Sequence, residues 1–153
     1  MITLKDSIEI KETPERVFNW LTNFRTDEDY QAWQPDHVKW QWVKGEPFQR
    51  GSVVLFEEYI HGELHRFKFV CIKVVPNRLI EYKSSFPWSI FMPKSKFIIE
   101  TRGGKGCVFT ATISFRGHPL FRKIFERQIE ATKQHMKEKG ENLKRILESK
   151  EFS

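Results

Sequence analysis

The sequence predicts an α+β fold in which a curved antiparallel sheet of about seven strands wraps around one long C-terminal helix, with two short helices between strands 1 and 2. Apolar residues recur with a period of two over most of residues 38–116. Helical spacing is confined to two stretches, 13–33 and 119–149, on either side of that region. No repeat, linker or change of composition divides the 153 residues, so a single domain over 1–153 is expected.

Residues 2–11 alternate around Leu4, Ile8 and Ile10 and read as the first strand. Thr13-Pro14-Glu15 then has the makings of a helix start. It offers a capping hydroxyl, a proline whose missing N–H costs nothing in the first turn, and an acid at the positive end of the dipole. Val17, Phe18, Trp20, Leu21 and Phe24 follow at helical spacing. A second short helix is predicted from Thr26, opened by Thr26-Asp27-Glu28 and running to Trp33, before Pro35.

The strands come next. Val38, Trp40 and Trp42 alternate with Lys39, Gln41 and Val43 until Gly45. Ser52–Ile60 and Leu64–Val75 flank a turn at His61-Gly62-Glu63, and Pro76-Asn77 leads into Leu79–Ser85. Lys96–Thr101 and Cys107–Phe115 flank Gly103-Gly104-Lys105-Gly106. These glycines supply positive φ for a hairpin, because a phosphate-cradling loop would need a helix straight after it. The amphipathic stretch from Pro119 carries Phe121, Phe125, Ile129, Thr132, Met136, Leu143 and Leu147 on one stripe, interrupted by Gly140. Gly140 marks a place where the helix passes close to other backbone.

Charged residues make up 30% of the chain and the formal net charge is +6, yet Lys and Arg are interleaved with Glu throughout. That distribution argues for a solvated cationic surface and against a specific nucleic-acid partner. No apolar run is long enough to span a membrane, and residues 1–20 lack a signal-peptide core, so a cytoplasmic location is expected. Cys71 and Cys107 fall inside strand-like runs and read as buried free thiols. His61 and His65 flank a turn, where strand geometry keeps their side chains apart, and read as surface histidines; His118 belongs to a turn before Pro119. Residues 86–93 (Phe86-Pro87-Trp88-Ser89-Ile90-Phe91-Met92-Pro93) join two strands yet are almost wholly apolar. They form either a lip at a pocket mouth, open to a ligand or a docking partner, or a loop folded into the core.

The order of elements resembles the helix-grip superfamily (SRPBCC), which includes START lipid-transfer domains, birch-pollen-allergen-like proteins and polyketide cyclases. The resemblance rests on Ile8-Glu9-Ile10 with Thr13-Pro14-Glu15-Arg16-Val17-Phe18, the Gly45…Gly51 strand break, the Val75–Ile80 turn and the closing helix. It implies a pocket for an apolar or amphipathic small molecule between sheet and helix. Trp40, Trp42, Phe56, Phe67, Phe69, Phe109, Phe125, Ile129 and Met136 are the candidate walls. A monomer and a homodimer are equally compatible with this reading.

A weaker resemblance, to diacetylphloroglucinol hydrolase-type members, runs through Tyr30–Val38, Phe56-Glu57-Glu58 and His135–Glu141. It implies zinc held by two His and two Glu, and an alternative function as a metal-dependent hydrolase of an acylated phenol or ketone. The matching residues here are His37, Glu58 and His135. Strand parity leaves Glu57 and Glu58 both open as the inward carboxylate, with Glu58 favoured. The position four residues after His135, where a second carboxylate would share its helix face, is Lys139; Glu138 is the less well-aimed substitute.

Overall fold

The computed structural model describes residues 2–23, 26–60, 62–90, 92–104, 106–117, 119–124 and 126–149. Strand β1 (Ile2–Ile10) is followed by helices α1 (Pro14–Leu21) and α2 (Asp27–Trp33). Six strands come next: β2 (His37–Lys44), β3 (Val53–Ile60), β4 (Glu63–Val75), β5 (Leu79–Ser84), β6 (Lys94–Arg102) and β7 (Gly106–Phe115). Helices α3 (Pro119–Ile124) and α4 (Glu126–Glu148) close the chain, within the stretch predicted as one helix.

The seven strands form one antiparallel sheet in the order β1-β7-β6-β5-β4-β3-β2. Every neighbouring pair from β2 to β7 is a hairpin or short connection, and β1 returns to cap the edge beside β7. Register shifts between His37 and Lys39, between Trp42 and Lys44, and between Cys71 and Lys73 bend the sheet on the β2–β5 side. The fold class read from the sequence is therefore the one observed.

Both predicted caps form. The Thr13 hydroxyl accepts from the Arg16 N–H at 3.3 Å, and the Thr26 hydroxyl accepts from the Asp29 N–H at 3.1 Å. The hairpin between β6 and β7 turns at Gly104, whose φ is +74°. Helix α4 spans 23 residues, about 34 Å at the α-helical rise, and lies over β1 with its far end. Leu143, Ile146 and Leu147 are buried there in a cluster with Leu4, Ile10, Val17 and Leu21. Gly140 makes the close approach possible, though what it meets are side chains rather than backbone. A Cβ at position 140 would lie 3.2 Å from Asp6 Oδ2 and 3.4 Å from Ile8 Cγ2.

Helix α2 is latched to α4 by a reciprocal pair of hydrogen bonds. The Trp33 indole N–H donates to the Lys139 carbonyl at 2.9 Å, and the Asn142 amide donates to the Trp33 carbonyl at 3.1 Å. This latch holds the short helix across one end of the space between sheet and α4. The two cysteines are buried free thiols, and burial pushes Cys107 up to about 11. No helix among the described residues is long and apolar enough to cross a membrane.

Candidate functional site

Between the sheet and the first half of α4 lies a cavity of about 280 Å³. Its sheet wall is built from alternate residues: Val54, Phe56 and Glu58 on β3, and His65, Phe67 and Phe69 on β4. Tyr82, Ser95, Phe97, Ala111, Ile113 and Phe115 continue that wall across β5–β7. Gln128, Thr132, His135, Met136 and Lys139 face it from α4, and Tyr30 and Trp40 close one end. The rings touch one another around the wall. Phe67 stacks on Phe69 at 5.8 Å between centroids, Trp88 tilts onto Phe67 at 4.8 Å, and Tyr30 stacks on Trp40 at 5.2 Å.

The segment 86–93 divides its residues between two environments. Trp88 and Met92 line the cavity, and the Trp88 indole N–H is pinned to the Arg66 carbonyl at 2.9 Å. Phe86 and Ile90 are exposed, at 79% and 46%. Phe91 lies outside the described residues; the described part of the segment is split between the cavity wall and the surface, as a lip would be.

One end of this oily space is polar. The Gln34 amide donates to the Tyr30 hydroxyl at 3.0 Å, and its carbonyl oxygen lies 3.2 Å from His135 Nε2, which makes that nitrogen the donor. His135 Nε2 is also 3.2 Å from Glu58 Oε2, close enough to attract but without hydrogen-bond alignment, so among the described residues Oε2 has no hydrogen-bond partner. Burial, with the Glu58 and Tyr82 groups adding repulsion, holds the Tyr30 hydroxyl well above its ordinary range and keeps it a phenol at neutral pH. Lys139 enters the same end. Its ammonium sits 5.2 Å from the centroids of both the Trp33 and Phe97 rings, with no hydrogen bond or ion pair among the described residues. Burial pulls its pKa below the ordinary lysine value, and the Glu58 charge opposes that shift only in part.

Of the predicted walls, Trp40, Phe56, Phe67, Phe69 and Met136 line the cavity. Trp42 does not: it packs edge-on against Phe48 at 5.0 Å, one step further along β2 than Trp40. Phe109 is sealed in the core under Phe97, with centroids 5.5 Å apart. Ile129 faces Ile2 and Leu4 on the other flank of α4. Phe125, His61 and His118 lie outside the described residues. His65, expected at the surface, instead lines the cavity and stacks on Phe67 at 6.0 Å.

The four residues considered for zinc do not form a ligand set. Glu138 is exposed and accepts a hydrogen bond from Gln134, because it projects from the outer face of α4. His37 is buried behind Tyr30 and Phe56, with Nε2 committed to Asp27 Oδ1 at 2.8 Å. Asp27 Oδ1 also accepts the Trp40 N–H at 2.7 Å, so the pair fixes the start of β2. Glu58 and His135 do meet, but the third charge at that end is the Lys139 cation. Among the described residues no three His, Cys, Asp or Glu side chains are grouped as a metal would need.

Tyr30 and Lys139 line the polar end and Gln34 stands behind it, none of them expected there from the sequence, where Lys139 read only as a cation in the place of a carboxylate. Tyr30 and Gln34 carried one available signal: a polar group on the last turn of a short helix and another at its C-cap, four residues on.

Among curated proteins none matches the chain. Several solved structures share its fold. Truncated norcoclaurine synthase from Thalictrum flavum superposes with a TM-score of 0.72 at 15% identity, covering 97% of this chain and 95% of that one. TTHA0849 from Thermus thermophilus gives 0.69 at 13% identity, with 97% and 100% covered. The Polyketide_cyc-like protein Cgl2372 from Corynebacterium glutamicum gives 0.58 at 22% identity, with 95% and 91% covered. At these identities the likeness is one of fold, and it is the helix-grip fold expected from the order of elements. Residues 1–148 match the family model described as polyketide cyclase / dehydrase and lipid transport, and the protein belongs to that family.

Proposed function

We propose that the protein binds a hydrophobic or aromatic small molecule in the cavity between the sheet and α4, with the ligand's polar group at the Tyr30–Glu58–His135–Lys139 end. The observation that carries this reading is a space of about 280 Å³ walled by aromatic rings and ending in polar side chains. A site that is mostly apolar with a few convergent polar groups orients a ligand by its one polar end. The volume sits just below the common range for ligand sites, so the occupant has roughly one or two fused rings. Membership of a family described by polyketide cyclisation and lipid transport supports the same class of ligand. So does the norcoclaurine synthase fold relative solved in complex with dopamine and hydroxybenzaldehyde.

The alternative of a metal-dependent hydrolase gains nothing from the side chains at the polar end, where a lysine takes the place a second carboxylate would need. The binding reading is tested with 2-naphthol, a two-ring ligand with one polar group, by titration calorimetry. Stacking on several rings predicts a Kd on the order of micromolar. Ala111, a small side chain on the cavity wall, is the place to block it. Ala111→Phe is expected to weaken binding by at least about tenfold, or 1.4 kcal/mol, with the circular dichroism of the fold retained. Equal affinity in the two proteins would mean that naphthol binds elsewhere, and the reading would fall.

A further inference from the structure

We infer that Lys139 is a covalent capture residue, whose side-chain amine condenses with the carbonyl carbon of a hydrophobic aldehyde or ketone held in the cavity. The inference rests on the binding reading above and adds the substrate class and the bond.

Three placements carry it. First, Lys139 lines the cavity and its nitrogen lies over the faces of Trp33 and of the cavity-wall residue Phe97, at 5.2 Å from each ring centroid. The latch from the Trp33 indole to the Lys139 carbonyl fixes the backbone behind it. Second, no carboxylate among the described residues neutralises it at contact distance. Glu58, the acid at that end, is engaged at 3.2 Å with His135 instead. A lysine kept in apolar surroundings without an ion-pair partner is one whose neutral, nucleophilic form is favoured, which is the direction in which burial moves this group. Third, proton-carrying groups stand beside it. The Tyr30 phenol, the His135 imidazole and the Glu58 carboxyl group share that end of the cavity, joined through Gln34.

The chemistry balances with these groups alone. The amine lone pair adds to the carbonyl carbon, and the carbonyl π pair moves to oxygen, which takes a proton. The nitrogen gives up a proton to the neighbouring side chains, leaving a carbinolamine. Protonation of its hydroxyl and expulsion as water give the iminium, and return of the nitrogen's remaining proton to the same side chains gives the imine, so one carbonyl and one amine yield one imine and one water. No oxidant or reductant is consumed, and the step is reversible. An apolar cavity favours the condensation because it disfavours water's return.

The test is reductive trapping of the full chain with 2-naphthaldehyde and cyanoborohydride at neutral pH, read by intact mass and peptide mapping. The expected result is one naphthylmethyl group per chain, located on Lys139. In Lys139→Arg, which keeps the cation but cannot form the imine, that adduct is lost. In the unaltered protein, excess 2-naphthol suppresses labelling of Lys139 and not of surface lysines, which keeps the test decisive even if the variant fails to fold. Adducts scattered over surface lysines, or a Lys139 adduct that naphthol does not suppress, would overturn capture. Normal naphthol binding with no Lys139 adduct would remove capture and leave the binding reading standing; absence of naphthol binding would remove the reading itself.

Discussion

The two halves of α4 face the same sheet and do opposite things. The C-terminal half presents Gly140, Leu143, Ile146 and Leu147, all buried, and closes onto β1 with little space to spare. The N-terminal half presents Thr132, His135, Met136 and Lys139 and leaves about 280 Å³ between itself and β3–β7. A glycine brings the helix in at one point, and beyond it aliphatic side chains fill the gap as interiors normally are filled. On the other side of that point the sheet offers large rings set edge to edge around its curve, and the helix offers polar groups. Rings standing on a concave surface line a space rather than filling it. The lesson is that the pocket is a property of where close packing stops along one helix.

The contrast is sharpest where a side chain is cut away in each half. Leu143 is fully buried in the closed half, so Leu143→Ala leaves a new hole and is expected to cost about 2–5 kcal/mol in urea unfolding. Binding of 2-naphthol should be unaffected. Met136 is 2% exposed but borders a space that already exists, so Met136→Ala enlarges that space rather than opening one. Its cost should fall at the low end of the same range, about 2 kcal/mol, and it should change naphthol affinity. If Met136→Ala proved the costlier and left binding untouched, the division of the helix into a packing half and a binding half would be wrong.

A smaller effect separates the polar end from the layer behind it. Burial lowers the His37 pKa from its ordinary value of 6.5, while the Asp27 hydrogen bond and charge, and the Glu58 charge, pull the other way without winning. The folded state therefore binds fewer protons than the unfolded state in the window below 6.5. Stability is complete above that value and falls as the pH drops through 6.5 toward the lowered folded value. Urea midpoints at pH 7.5 and 5.5 should differ in that sense, and His37→Gln should flatten the part of the slope due to this imidazole. A midpoint that rises on acidification, or an unchanged slope in the variant, would show that His37 is not the group responsible.

The scaffold is legible in the sequence because its signals are local. Period-two runs, the Thr13 and Thr26 caps and the Gly103-Gly104 turn each depend on residues a few positions apart. The candidate walls are legible on β3 and β4, where strict alternation puts Phe56, Phe67 and Phe69 on one face. They fail where alternation runs past the cavity. Trp42 shares parity and register with Trp40 but lies one step further along β2, past the cavity, where it packs on Phe48. Phe109 has the right parity but lies under Phe97, where the interior is filled. Lys139 reads in the sequence only as a cation that spoils a metal site. Its placement needs the Trp33 and Phe97 rings, which come from 106 and 42 residues earlier in the chain and meet only in the folded protein. Tyr30 and Gln34 are hidden for the same reason, since nothing local says that α2 docks on α4.

The smallest expected effect tests the hinge between the two halves, the point where α4 touches β1. Gly140→Ala should gain helix propensity, about 1 kcal/mol in an unobstructed helix interior. Against that gain, the new methyl would meet Asp6 Oδ2 at 3.2 Å, tighter than ordinary contact, and Ile8 Cγ2 at 3.4 Å, at the near edge of ordinary contact. Asp6 is a surface-side carboxylate that can turn by a rotamer, whereas Ile8 is branched at the contact and belongs to the sheet. The two effects nearly cancel, so the net change in unfolding free energy should lie within about 1 kcal/mol of zero. Asp6→Ala combined with Gly140→Ala removes the closer of the two contacts and should recover part of the propensity gain. A loss of several kcal/mol in the single variant, unrelieved in the double, would mean that the helix cannot shift at this point at all. The cavity beyond it would then be held open by a rigid fulcrum, and naphthol affinity should move with the same substitution.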